Sequence, residues 1–314
     1  SFLSVGLHQT KRFYRSALAA LLASSPVFAD DWPHWLGPTG DSVWAEDGII
    51  QSMPKEALKV KWRAPIGMGY SGHSVADGKV YATDYVKTSG EITNKASWKD
   101  PLEGFERIRC YDSENGELLW QYEYPRTHEM SYGGRPRSAP TVSNGKVYVL
   151  GAEGDLNCLD ASNGNLIWNK SFQLEYGVET PIWGFAARPL VDGDTLYCLV
   201  GGEGSIAVAF DKNTGREKWR ALTAAEPGYC PPTIIESGGT RQLIIWHPEA
   251  INSLNLETGA VYWSHPINAT LRMSIMAPRM QGNLLYASTQ SDVGIMLALD
   301  DERPAAKVLW RNEP

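Results

Sequence analysis

Five stretches of this chain repeat one pattern: "RIRCYDSENGELLW" (107–120), "DLNCLDASNGNLIW" (155–168), "IAVAFDKNTGREKW" (206–219), "AINSLNLETGAVYW" (250–263) and a looser "IMLALDDERPAAKVLW" (295–310). The closing tryptophans, Trp120, Trp168, Trp219, Trp263 and Trp310, lie 48, 51, 44 and 47 residues apart. A period held across five units restricts the chain to a repeat architecture.

Each motif reads as strand, tight turn, strand. Asp112, Asp160, Asp211 and Asp300 stand where a strand ends, placed to accept backbone N–H groups of the turn. Gly116, Gly164, Gly215 and Gly259 follow four residues after their turn Asp or Asn, where a left-handed backbone is cheap for glycine alone. Cys110, Cys158, Ala209, Ser253 and Ala298 share one small-residue position, expected where a neighbouring unit presses close. A second hairpin precedes each motif, as in "APTVSNGKVYVLG" (139–151) and "RPLVDGDTLYCLV" (188–200). Two hairpins per period make a four-stranded antiparallel unit of propeller-blade size. The expected fold class is therefore all-β: a β-propeller of four-stranded antiparallel blades, with about five present.

The repeat resembles the pyrroloquinoline-quinone-type β-propeller family. That family includes quinoprotein alcohol dehydrogenases and the propeller lipoprotein that assists outer-membrane protein assembly. The resemblance rests on the "CLDASNGNLIW" motif from about Lys59 to Trp310, and on the leader "DWPHWLGPTGDS" (31–42). It implies that the five repeat tryptophans dock one blade on the next. It also makes pyrroloquinoline quinone a possible cofactor, and implies about seven or eight blades in all. On that basis "ALKVKWRAPIG" (57–67) is the outer strand of a blade whose other strands lie beyond residue 314, and the chain is expected to be a piece of a longer propeller with exposed apolar edge surface. Quinoprotein dehydrogenases resemble one another in an adjacent Cys-Cys pair and a calcium site with a catalytic Asp. Neither motif occurs here, and the four cysteines read as small core filler.

Residues 1–29 read as an export signal: basic "KRFYR" (11–15), apolar "SALAALLASSPV" (16–27) and a small-residue cleavage site at Ala29. This divides the chain into a signal peptide (1–29), a leader (30–56) and the propeller (57–314), and predicts a periplasmic or extracellular protein. Loss of Lys11, Arg12 and Arg15 with the signal takes the net charge from −7 to −10. So acidic a chain is a poor partner for nucleic acid. The six histidines show no metal-ligand spacing, so no metal site is predicted.

Alternating strands send the first–second and third–fourth turns of every blade to one face, where "SNG" and "NTG" are short. The other connections share the opposite face, and they are long: 85–106, 121–137, 171–188 and 223–230. Long loops gathered on one side are the predicted functional face. Arg137 and Arg188 precede two innermost strands and Arg279 starts a third, which suits an anion. Trp183, Tyr132 and Tyr229 could stack on it. The alternative for the arginines is salt-bridging to Glu175 or Glu179. The candidate ligand set is thus Arg137, Trp183, Arg188 and Tyr229, with a small anionic ligand or a protein partner as occupant and no catalytic residue assigned. The favoured function is an exported binding or scaffold propeller rather than an enzyme. The alternative is a quinone-dependent alcohol dehydrogenase with a divergent site.

Overall fold

A computed structural model describes residues 30–312 except 94, 97, 134 and 290–292. The export-signal segment 1–29 lies outside the described residues. The described residues from Asp31 onward belong to one unit, built from five antiparallel sheets in chain order.

The first blade holds β1 (Ser74–Ala76), β2 (Lys79–Ser89), β3 (Asp100–Asp112) and β4 (Leu118–Pro125), with β5 (His128–Met130) added to the far end of β3. The second is β6 (Thr141–Ser143), β7 (Lys146–Leu150), β8 (Asp155–Asp160) and β9 (Leu166–Ser171). The third is β10 (Leu190–Asp192), β11 (Thr195–Leu199), β12 (Ala207–Asp211) and β13 (Glu217–Ala221). The fourth is β14 (Thr233–Ser237), β15 (Thr240–His247), β16 (Ala250–Asn255) and β17 (Val261–Pro266). The fifth is β18 (Arg279–Gln281), β19 (Leu284–Ser288), β20 (Gly294–Leu299) and β21 (Ala306–Asn312). Every blade pairs its four strands in sequence order, as a propeller blade does. Helix is confined among the described residues to α1 (Phe172–Tyr176), capped by Ser171 and by Gly177 at φ 64°, and a short 3₁₀ turn at Thr270–Arg272.

The repeat motif builds the junction between blades. Asp112 Oδ1 accepts the backbone N–H groups of Glu114 and Asn115 at 2.8 and 3.1 Å, and Asp211 and Asp300 cap their turns the same way. In the first three blades the fourth-strand tryptophan lies over the turn glycine of the following blade. A Cβ on Gly164 would meet the Trp120 ring at 2.6 Å, and one on Gly215 or Gly259 would meet Trp168 or Trp219 as closely. Each of these indoles donates to a carbonyl in that same turn: Trp120 to Ala161, Trp168 to Lys212 and Trp219 to Leu256. Trp62, in the segment 57–67, makes the equivalent contact with Gly116 and donates to Ser113 O at 2.9 Å.

The last two tryptophans differ. Trp263 donates to Gln242 Oε1 of its own blade, and Pro304 stands where the next turn would place its glycine. Trp310 is 45% exposed. The small-residue position also has a different cause from the one predicted. Within one sheet Cys110 sits between Tyr81 of β2 and Trp120 of β4, whose ring centroids are 5.9 Å apart. Tyr148 and Trp168 flank Cys158, and Tyr197 and Trp219 flank Ala209, in the same way. The small side chain makes room for two aromatic rings of its own blade. In the fifth blade the turn after Asp300 closes at the same length, but the bulge falls two pairs later, between Met296 and Leu297, so Trp310 faces Met296 and Ala298 faces Lys307.

The apolar core is divided accordingly into clusters that join successive blades. Ile108 and Trp120 pack with Val147 and Leu159, for example, and Trp246 and Ile251 with Leu285 and Ile295. All four cysteines are buried and free. The segment 85–106, predicted as loop, is largely strand. Residues Asp100–Glu106 alternate buried and exposed, the period-2 signature of a half-buried strand, and the true connection is 90–99.

Candidate functional site

The four connections that enter the innermost strands come together on the long-loop face. Arg137 lies four residues before β6 and Arg188 two before β10, where the chain turns inward. Trp183 is set by a tight turn in which Gly184 N–H donates to Pro181 O at 2.8 Å. Gly184 has φ 71°, and a Cβ there would lie 2.7 Å from the Met130 sulfur and 3.0 Å from Ala152 O, so only glycine fits. Ser131 N–H, just after β5, donates to Ile182 O and ties this turn to the first blade. Tyr229 is fixed by its own N–H to Ser274 O at 3.0 Å. Beneath them Glu153 is a buried hub that accepts the Glu129 N–H and the Thr180 hydroxyl.

Arg137, Trp183, Arg188 and Tyr229 line two adjoining chambers. The more enclosed, about 230 Å³, is bounded by Trp35, Tyr70, Arg137, Arg188, Tyr229 and Ile275. The more open, about 360 Å³, shares Tyr70, Arg137, Tyr229 and Ile275 and adds Tyr132, Trp183 and Met273. The rings of Trp183 and Tyr229 are tilted at 5.7 Å. Arg279 lines neither chamber; its guanidinium reaches Ser42 Oγ at 3.4 Å.

The chambers are rich in donors and poor in acceptors. Arg188 is 4% exposed, and among the described residues its one hydrogen bond is a long one from Nη1 to Pro189 O at 3.4 Å. Arg137 donates to Ser131 O at 2.7 Å and lies 5.1 Å from the Tyr70 ring centroid. Among the described residues no carboxylate lies within ion-pair distance of either arginine. Glu175 is taken by Lys170 at 2.8 Å. The Nε of Arg137 and of Arg188, the Trp183 indole N–H and the Tyr229 O–H are buried and donate to no acceptor among the described residues. Burial lowers the Arg188 pKa to about 10 and lowers that of Arg137 as well. Burial and Arg188 together hold the His34 imidazole down at about 4. An uncompensated guanidinium out of water is costly, and an anion relieves that cost.

A larger cavity of about 520 Å³ opens nearby between Lys99, Glu179, Glu203, Glu226 and Arg272. Its positive charge faces carboxylates: Arg272 pairs with Glu226 at 2.7 Å, and Glu179 and Glu203 line the same cavity as Lys99. It therefore lacks the unanswered charge of the arginine chambers.

Sequence reasoning missed the leader's part in the site. Trp32 bridges Val75 of β1 through backbone hydrogen bonds of 2.8 and 2.9 Å, and Pro33 O accepts Val142 N–H of β6. The leader thus crosses two innermost strands and delivers Trp35 to the enclosed chamber. Tyr70, between the guanidiniums of Arg135 and Arg137, was missed too. Both residues lie outside the repeat, so no periodicity marks them. The aromatic density of "DWPHW" was the available signal.

Residues 104–314 match the family model described as Outer membrane protein assembly factor BamB. The dehydrogenase subunit of alcohol dehydrogenase (quinone) from Gluconacetobacter polyoxogenes is 26% identical over 230 residues, which cover 67% of this chain and 28% of that protein. Outer membrane protein assembly factor BamB from Shewanella oneidensis is 23% identical over 167 residues, covering 51% of this chain and 41% of the relative. The solved quinohemoprotein alcohol dehydrogenase from Comamonas testosteroni aligns with a TM-score of 0.56 at 17% identity, over 89% of this chain and 49% of that one, a likeness of fold. The chain thus spans less than half the length of each of these relatives. With a family match over more than half its residues and five four-stranded blades, the chain belongs to the β-propeller repeat family whose model is described as Outer membrane protein assembly factor BamB.

Proposed function

We propose that this chain is an exported binding propeller whose long-loop face takes an anion, either a small ligand or an acidic group of a protein partner, at Arg137, Trp183, Arg188 and Tyr229. The observation that carries this reading is Arg188: a guanidinium 4% exposed, with no carboxylate partner among the described residues. Natural proteins pair buried charge, and an arginine left unpaired is a site awaiting its counter-ion. The basic and apolar character of residues 11–27, together with relatives named for outer-membrane assembly, supports export.

The names of other relatives raise quinone-dependent alcohol oxidation. By charge, Arg137 and Arg188 suit a quinone carboxylate. Yet the residues lining the two chambers include no carboxylate and no imidazole to take a proton from an alcohol. Among the described residues no cluster suited to a metal ion is found. The lining fits anion binding and does not fit the redox chemistry, so binding is the function we favour.

The test compares benzoate with benzyl alcohol, an uncharged analogue of similar shape, by thermal shift. Benzoate should stabilise the wild type, and the double substitution Arg137→Ala, Arg188→Ala should abolish that. Asn144→Ala, on the short-turn face, should leave it intact. Equal stabilisation by the alcohol, or sensitivity at Asn144 instead, would refute the proposal.

A further inference from the structure

The two chambers differ in chemistry, and the difference assigns a ligand class. This inference rests on the anion-binding reading above and sharpens it. The enclosed chamber holds both guanidiniums, Arg137 and Arg188, while the open one keeps Arg137 alone and adds Tyr132, Trp183 and Met273 to the shared Ile275 and Ala186. Positive charge is therefore concentrated at the closed end, and apolar surface at the mouth. We propose that the site binds a free monocarboxylic acid carried on an apolar stem. The carboxylate meets Arg188 in the enclosed chamber, and the stem lies against Trp183, Met273 and Ile275.

Three features favour that class over other anions. A carboxylate presents two oxygens with about four acceptor sites, a match for the clustered unpartnered donors of Arg188, Arg137 and Tyr229. A polycarboxylate would carry its extra charges into the open chamber, whose only cation is Arg137, and leave them desolvated without partners. A polypeptide terminus would bring backbone N–H and C=O groups against Met273, Ile275 and Ala186, which offer side chains that cannot bond them. A hydrocarbon stem makes no such demand and gains by leaving water.

The experiment measures affinity for acetate, butyrate, hexanoate and octanoate by calorimetry, with matching 1-alkanols as uncharged controls. Affinity should rise about three- to fourfold per added methylene until the open chamber is filled, and the alkanols should bind far more weakly. Met273→Ala with Ile275→Ala should flatten the chain-length dependence while acetate binding persists. Arg188→Met should weaken every acid, with circular dichroism reporting that the variant is folded. Anion binding that depends on Arg188 yet ignores chain length would overturn the stem assignment and leave the binding reading standing. Absence of any anion binding would overturn both. Tighter binding of pyrroloquinoline quinone, or of a peptide that requires its free carboxyl terminus, than of octanoate would also overturn the assignment, in favour of that ligand.

Discussion

The Trp120 indole covers Gly164 of the next blade so closely that a Cβ on that glycine would lie 2.6 Å from the ring, while Trp120 Nε1 donates to Ala161 O at 3.1 Å. One residue thus supplies both an apolar wedge and a hydrogen bond across a blade junction. Trp120→Ala should destabilise the protein by about 3–5 kcal/mol, the range for a large buried aromatic. Trp310→Ala, at a 45% exposed site, should cost less than about 1 kcal/mol. Urea denaturation of the two variants measures the contrast, and similar losses would count against tryptophan docking.

The turn that presents Trp183 depends on Gly184. With φ 71° and Met130 and Ala152 crowding its Cα, Gly184→Ala should cost about 1–3 kcal/mol and shift the indole. The expected readout is a changed Trp183 fluorescence together with weaker benzoate binding. Unchanged binding would mean that the turn does not set the site.

How legible all this was in the sequence depends on whether a residue belongs to the repeat. The turn aspartates and glycines and the four-stranded blades could be read because each recurs every 44–51 residues with its physical reason visible. The partner of Trp263 could not, since it depends on Gln242 Oε1 accepting the indole N–H where Pro304 replaces the glycine of the following turn. The β2–β3 extension was hidden because Gly104 and Pro101 read as loop residues, while burial of Leu102 and Glu106 comes from contacts made by β5 and the second blade. Of the chamber, the arginines were legible from their place before inner strands. Trp35 and Tyr70 were not, because non-repeating segments deliver them.

Burial shifts two titrations in opposite directions. Burial raises the Asp155 pKa from 3.8 to about 6, with Arg126 at 2.9 Å pulling the other way. Between those values the native state holds a proton that the unfolded chain has lost, so this group's contribution falls as pH rises, by on the order of 3 kcal/mol. His34, held down at about 4, is the reverse: the unfolded chain binds the proton first, so its contribution rises with pH up to about 6.5. Across pH 4–6, Asp155→Asn should therefore make the stability profile climb more steeply, and His34→Gln should flatten it. Denaturant midpoints at intervals across that range provide the check. Parallel profiles for both variants and wild type would contradict the assignments.

The buried thiols should be inert in the native protein. Burial raises Cys110 and Cys158 to about 12 and Cys198 and Cys230 further still. An aromatic disulfide reagent should label none of them at neutral pH and all four in denaturant. Rapid native labelling would show a blade junction that opens readily.

The central claim is that Arg188 is a buried charge kept for a ligand anion. Its most direct test follows the melting temperature of wild type and Arg188→Met across a benzoate titration. The wild type should rise with the logarithm of ligand concentration above the dissociation constant. Arg188→Met should stay flat and, without ligand, melt no lower than wild type, since it removes an unpaired buried charge and keeps an apolar stem of similar length. Parallel rises in the two proteins, or an Arg188→Met variant that loses several degrees in the absence of any anion, would contradict the account.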